Sequence, residues 1–280
     1  MKITRRRLLK GAAATAGLAA ATGFYAWRVE PHWLQVVERT LPIANLPASW
    51  EGARMAQISD LHIGPQVDDS YLLETFARVR ALAPEVVLYT GDFTTESQDT
   101  FEHAHRMIPA LPHGSRATFG ILGNHDYGMR WMHLDAAERL AALAKSNGVE
   151  ILRNETRNVD GLQVIGMDDL WAGQFDVHKA IAATDLSKAA IALSHNPDTA
   201  DDSGWGDYSG WILAGHTHGG QCKPPFLPPP MLPVKNRRYT SGEFELTGGR
   251  RMYISRGVGH LLCVRFNVRP EVTLFQLARA

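Results

Sequence analysis

Five short stretches of the chain carry imidazole, carboxylate and amide side chains at spacings that suit metal-ion chemistry. In Gly215-His216-Thr217-His218-Gly219-Gly220-Gln221, two histidines stand one residue apart in a glycine-rich turn, where a backbone without Cβ atoms can reverse sharply. Asp60-Leu61-His62 pairs a carboxylate with an imidazole, a donor set for a borderline divalent ion. Gly91-Asp92 adds a second acid. Gly123-Asn124-His125-Asp126 offers a neutral oxygen donor, an acid–base group and a carboxylate suited to orienting that imidazole. In Ser194-His195-Asn196-Pro197-Asp198, Pro197 keeps the residues before it extended and so presents His195. Taken singly, each stretch has an ordinary reading as a capped turn or a surface histidine. Taken together they hold more nitrogen and oxygen donors than a structural zinc site uses, and none of those donors is a thiolate. Such a set fits two metal ions about 3.5–4 Å apart, the arrangement used for phosphoryl transfer. Mixed imidazole and oxygen donors suit manganese, iron or zinc better than calcium.

Buried strands must position these groups. Residues 54–59, 85–90, 118–122, 189–193 and 211–214 are short apolar runs, and each ends at one of the five stretches. Acids and imidazoles at the carboxyl ends of buried strands mark the ligand edge of an α/β sheet. Alternation along the strand predicts that Asp60 and His62 point the same way. Between the strands, the apolar stripe Leu72, Leu73, Phe76, Val79, Leu82 predicts a helix over 70–82. Further helices are expected around 101–110, over 134–147 with Gly148 as its C-cap, and over 176–183. Asp160-Gly161 reads as a hairpin turn between two short strands. Residues 223–233 form a stiff loop with six prolines and the apolar residues Phe226, Leu227, Met231 and Leu232. It reads either as an apolar rim facing a membrane or lipid, or as a cover over a sheet edge.

A chain of 280 residues, 45% hydrophobic and 21% charged, suits one large domain. The formal net charge is zero, but five basic residues lie within the first ten positions and no acid precedes Glu30. The rest of the chain is mildly acidic and lacks the broad basic field of a nucleic-acid-binding protein. Two cysteines, Cys222 and Cys263, make no disulfide framework. At the start, Thr4-Arg5-Arg6-Arg7-Leu8-Leu9-Lys10 precedes an alanine-rich run, the pattern of an export signal. Residues 1–27 are read as a twin-arginine signal or N-terminal anchor, with Ala19-Ala20-Ala21 as a cleavage site, and residues 28–280 as the single domain. The partners this predicts are the twin-arginine export machinery and the membrane surface, with the domain in the periplasm or on the outer face of the cytoplasmic membrane.

The order Asp-x-His, Gly-Asp, Gly-Asn-His-Asp, His, Gly-His-x-His resembles the calcineurin-like metallophosphoesterases. Asp169-Leu170-Trp171-Ala172-Gly173 and Ser255-Arg256-Gly257-Val258-Gly259 extend the likeness to the twin-arginine-exported YaeI/YkuE type. The resemblance implies an α/β/β/α sandwich of two packed mixed β-sheets flanked by helices. It places Asp60, His62, Asp92 and His218 on one metal and Asp92, Asn124, His195 and His216 on the other, with Asp92 bridging. It makes His125 the general acid, oriented by Asp126, and manganese the first-choice metal. The implied reaction is phosphodiester hydrolysis, by in-line attack of a metal-bridging hydroxide. The alternatives are a membrane-surface pyrophosphatase acting on a lipid-linked nucleotide sugar and, remotely, a metal-binding scaffold without catalysis. Tyr127, Arg237 and Arg238 are weaker candidates for substrate contact, and Trp171 is read as either a cleft wall or core.

Overall fold

The apolar runs that precede the five stretches form the middle strands of two facing sheets. The computed structural model describes residues 4–95 and 100–280, so Lys2 of the basic leader lies outside the described residues. The chain contributes β1 (Gln35–Ile43), β2 (Arg54–Ile58), β3 (Val86–Thr90), β4 (Ala117–Ile121) and β5 (Glu150–Ile151) to one sheet. It then builds a second from β6 (Glu155–Val159), β7 (Leu162–Gly166), β8 (Ala190–Leu193), β9 (Trp211–Ala214), β10 (Gly242–Glu245) and β11 (Arg251–Ile254), and returns through β12 (Glu271–Arg279) to the first. The strand orders are β1-β12-β2-β3-β4-β5 and β10-β11-β9-β8-β7-β6, six strands each. The centre of each sheet is parallel. Antiparallel pairings are β12 with β2, β6 with β7 and β10 with β11.

Period-two alternation divides the core. On β3, Val86 and Leu88 face the space between the sheets, where they meet Phe119, Ile191, Leu193 and Leu213. Val87 and Tyr89 face the other way. The helices are α1 (Arg5–Phe24), α2 (Asp69–Ala81), α3 (Thr100–Met107), α4 (Leu134–Ser146) and α5 (Val177–Ala182). Leu72, Phe76 and Val79 of α2 and Leu140 of α4 cover the outer face of the first sheet. Val177 and Ala180 of α5 pack over the second. Helices α2 to α5 and strands β2, β3, β4, β8 and β9 coincide with the sequence expectations to within a few residues, and the sandwich is the predicted fold. Asp160 and Gly161 both have positive φ, 46° and 89°, as a tight two-residue hairpin turn requires. Pro42 lies inside β1, which is tolerated because β1 is an edge strand paired with β12 alone.

Buried polar ties hold the layers and the N-terminal segment in place, and one of them crosses the sandwich near the strand ends. Gln57 is fully buried on β2, and its Nε2 donates to Thr90 Oγ1 at 3.1 Å and across the sandwich to the Ala214 carbonyl at 2.9 Å. At the N-terminal side, α1 buries no residue, but the chain is tied down from Tyr25 onward. Ala26 is buried and its carbonyl accepts from Arg265 N–H at 2.9 Å. The buried Glu30 carboxylate accepts from the backbone N–H groups of Asn267 and Val268 at 2.9 and 2.5 Å. The backbone at residues 25–27, which the sequence assigns to the leader, is therefore tied to the body, with Ala26 buried and the Trp27 side chain exposed. Cys222 and Cys263 are both half-buried and unpaired.

His260 is fully buried beneath this corner, with its Nε2 3.0 Å from the Gln66 carbonyl. Burial, and then the Arg265 guanidinium, lower its pKa to about 4. The folded protein thus disfavours a proton that the unfolded chain accepts near pH 6.5, so His260 contributes stability above that pH and loses it as pH falls toward 4. His260→Gln keeps the hydrogen-bond donor and removes the titration. Between pH 6.5 and 4.5 its melting temperature should fall less steeply than the parent's, a difference worth roughly 2 kcal/mol at the acid end.

Candidate metal centre

The five stretches meet at one edge of the sandwich. β2 ends at Ile58, and the loop beyond it runs alongside the loop beyond β3: Asp60 N–H donates to the Gly91 carbonyl at 3.0 Å, His62 N–H to Asp92 at 3.0 Å and Ile63 N–H to Phe93 at 2.8 Å. Strand alternation is not what aligns Asp60 with His62. Both lie beyond the strand with positive φ, 54° and 49°, as do Asp92 at 52°, His216 at 70° and His218 at 49°. Five non-glycine residues in the left-handed region at one site is a concentration of backbone strain. The neighbouring glycines are required by close approach. A Cβ on Gly123 would collide with Asp92, and one on Gly215 with Ser59 and Asp60.

Two buried triads result, Asp60–His62–His218 and Asp92–His195–His216, each with one donor atom per residue within 4.8 Å of the others. In the first, His62 Nε2 is 3.0 Å from His218 Nε2, which is 3.3 Å from Asp60 Oδ1. In the second, His195 Nε2 is 3.1 Å from Asp92 Oδ2 and 3.2 Å from His216 Nδ1. Asp92 Oδ2 is also 3.7 Å from His62 Nε2, so this one oxygen faces both triads. Separations of this size are what ligands about 2.1 Å from a common ion would have. Asn124 is fully buried, and neither its Oδ1 nor its Nδ2 has a hydrogen-bond partner. An orphaned amide is expensive unless something absent from the protein completes it. The donor set therefore fits the two ions that the sequence implies.

The histidines are oriented from behind. His195 Nδ1 faces the Thr90 carbonyl at 2.8 Å and His216 Nε2 faces the Pro233 carbonyl at 2.9 Å. Each carbonyl fixes the proton on that nitrogen and leaves the other ring nitrogen free for the centre. Burial lowers the pKa of His62 and of His216 to about 3, with His195 adding to the effect on His216. Both rings are thus neutral and ready to bind metal. Burial also works against charge on His195, but the Asp92 carboxylate beside it outweighs this and raises its pKa to about 10. Burial lifts Asp60 to about 6.

His125 rides on the turn after β4. Its backbone N–H donates to Asp92 Oδ1 at 3.0 Å and its ring lies edge-on to His62, with centroids 5.3 Å apart. The expected role of Asp126 needs correction. Among the described residues its partners are Phe93 N–H at 3.2 Å, Thr94 N–H at 2.9 Å, Thr94 Oγ1 at 3.1 Å and Gly123 N–H at 2.9 Å, not the His125 ring. Asp126 fastens the turn that carries His125 to the loop after β3, and so positions the ring through the backbone. Tyr127 is not a pocket residue. It is fully buried, its hydroxyl donates to Asp168, and Arg153 reaches that oxygen at 3.1 Å. Arg237 donates to the carbonyls of Pro229 and Pro230, bracing the proline-rich loop, while Arg238 is exposed. Trp171 is a wall: its ring meets His216 edge-on at 4.4 Å and Trp131 at 4.5 Å.

Sequence reasoning missed Arg265. Fully buried, it donates to the carbonyls of Arg256, Gly257 and Gly259 and lies 3.3 Å from His218 Nδ1. The available signal was one cation inside an otherwise apolar run, Leu261 to Phe266.

A two-sheet sandwich whose strand ends converge on two buried imidazole–carboxylate triads defines a dinuclear metallohydrolase. Residues 53–220 match the calcineurin-like phosphoesterase family, and the chain belongs to it: it is a metallophosphoesterase. It is 32% identical to the metallophosphoesterase YkuE of Bacillus subtilis over 99% of this chain and 98% of that protein. It is 31% identical to the phosphodiesterase YaeI of Escherichia coli, covering 98% of this chain and 99% of the other. The UDP-2,3-diacylglucosamine pyrophosphatase LpxG of Chlamydia trachomatis is 27% identical, over 95% and 96%.

If Asp92 serves both triads, Asp92→Asn should lower the metal content of the reconstituted protein from about two equivalents to one or fewer. Elemental analysis beside a circular-dichroism melt would separate this from unfolding.

Proposed function

We propose that the protein is an exported phosphodiesterase working with two manganese ions, which Asp60, His62, Asp92 and His218 would hold on one side and Asp92, Asn124, His195 and His216 on the other. The observation that carries this reading is the pair of buried triads, with Asp92 of the second facing His62 of the first at 3.7 Å and His125 beside them. Bound divalent ions would neutralise phosphoryl charge and activate a water. The chain's own groups do the rest. Thr90 and Pro233 hold two rings in register through their carbonyls. Trp171 walls one side. A cleft of about 400 Å³ opens beside His125, lined also by Thr94, Thr95, Phe101 and Arg139. His125 faces that cleft and donates a proton to the departing alkoxide. The diester preference is supported by the name of the YaeI relative. Hydrolysis of a lipid-linked pyrophosphate is the second reading, supported by the name of the LpxG relative and by the exposed apolar residues near Pro233.

The manganese-loaded protein should hydrolyse bis(p-nitrophenyl) phosphate, and Asp92→Asn should abolish turnover. Absence of turnover with both sites filled would sink the general diesterase reading. His125→Ala should slow an alkyl diester about 10²–10⁴-fold, but the p-nitrophenyl ester much less, because nitrophenolate leaves without a proton. Equal losses on both substrates would remove His125 as the acid.

The basic leader supports export by the twin-arginine route. Arg5→Lys with Arg6→Lys should retain the protein in the cytoplasmic fraction, as read by immunoblot of fractionated cells.

A further inference from the structure

We propose that the face built from residues 24–29, 224–231 and 261–264 is a docking surface for an anionic lipid bilayer. Segments far apart in sequence are stitched together there. Arg265 N–H donates to Ala26 and the Cys263 thiol to the Trp27 carbonyl, at 2.9 and 3.5 Å. Gln221 Nε2 donates to the carbonyls of Leu262 and Val264 at 3.0 and 2.9 Å, and Lys223 N–H donates to Phe266 at 2.9 Å. These bonds hold the backbones and leave large apolar side chains in solvent. Phe226 is wholly exposed, Met231 is 74% exposed, Leu262 70%, Leu227 58% and Trp27 50%. Single exposed apolar residues are ordinary, whereas a contiguous group of this kind marks an interaction surface. Phe226 in addition has φ of 65°, a left-handed conformation that is strained for a bulky residue. Being wholly exposed, its ring gains no packing to offset that strain.

The charge pattern identifies the occupant. Residues 4–29, 221–241 and 259–270 contain 11 of the 29 lysines and arginines and none of the 29 acids, leaving 18 basic against 29 acidic groups elsewhere. An apolar patch whose own segments carry cations such as Arg28 and Lys223 and no acid, on a chain otherwise acidic, matches hydrocarbon beneath anionic headgroups. Two exposed tryptophans carry arginines on their faces, Arg28 over Trp27 at 4.7 Å and Arg269 over Trp33 at 4.0 Å. Such rings, apolar in body with a cation on the face, suit the headgroup level. Among the described residues no helix is long and apolar enough to cross a membrane, so the mode is lying on the bilayer rather than spanning it. The same segments touch the metal centre, through Pro233 behind His216 and Arg265 beside His218. The face is therefore joined through Pro233 and Arg265 to that centre, and its docking would bring the centre to a phosphoester carried on a lipid. That consequence rests on the phosphodiesterase reading; the docking itself does not.

The test is flotation of the full-length, metal-free chain with phosphatidylcholine vesicles, with and without phosphatidylglycerol. The parent should float with the anionic vesicles at least about tenfold better than with the neutral ones. Phe226→Glu, Leu227→Glu and Leu262→Glu together leave α1 intact and should cut that binding at least about tenfold, with an unchanged melting temperature. If the triple variant misfolds, Arg28→Gln with Lys223→Gln, which alters only exposed cations, should still lower binding about threefold or more. The proposal is overturned if the parent does not float with anionic vesicles, as a face made for a protein partner would not. It is also overturned if the parent floats equally on both vesicles, or if the folded triple variant floats as well as the parent, since α1 alone would then be the anchor.

Discussion

The structure depends on one electrostatic constraint. Asp92 Oδ2 lies 3.1 Å from His195 and 3.7 Å from His62, with the buried Asp60 carboxylate and two further imidazoles close by. Carboxylates and neutral ring nitrogens converging without solvent are costly on their own, since lone pairs face lone pairs in a medium of low dielectric. Cations at the centre turn that cost into coordination. The pKa directions express the same constraint. Burial strips protons from His62 and His216, while the Asp92 carboxylate favours positive charge at His195. The protein has thus arranged its ligands for positive charge.

Holding them there needs a rigid frame. Asp60, His62, Asp92, His216 and His218 all sit in a backbone region that most side chains avoid. Such strain persists only where the surroundings over-determine it. Here the surroundings are parallel strands buried on both faces, the paired loops after β2 and β3, and two polar anchors. Gln57 bolts the first sheet to the end of β9. Asp126 collects three backbone N–H groups and a hydroxyl from two loops. Neither anchor needs to touch a reacting group. Each removes freedom from the loops on which the ligands stand.

This explains what the sequence could and could not show. The strands were legible because their apolar runs end abruptly in Asp, His and Gly, and the ligands were legible because those endings share one chemistry. The alignment of Asp60 with His62 was not, because a left-handed turn rather than strand period sets it. Asp126 beside His125 read as an orienting pair, but adjacent residues on a tight turn project differently, and the carboxylate found backbone donors behind the turn. Tyr127 followed a catalytic turn and still points into the core, against Asp168 and Arg153. Arg265 was hidden because a buried arginine satisfied by carbonyls leaves no spacing signature. Besides the nearby Val268 carbonyl, its partners come from residues 256–259 and from His218, a set that folding assembles.

Arg265 also joins the centre to the outside of the molecule. Its guanidinium ties down the carbonyls of residues 256, 257 and 259 and meets His218, while its backbone N–H binds Ala26. The exposed residues Leu261, Leu262 and Val264 lie on the loop that leads to it. On the other side, Arg237 braces Pro229 and Pro230, and Pro233 fixes His216. The apolar face is thus covalently continuous with the residues that orient two ligands. A displacement of either loop would be felt at a ring nitrogen, because buried polar networks resist partial rearrangement. A single rigid corner therefore serves two demands: it keeps the imidazoles in register, and it sets the distance between the metal centre and whatever surface covers the apolar rim.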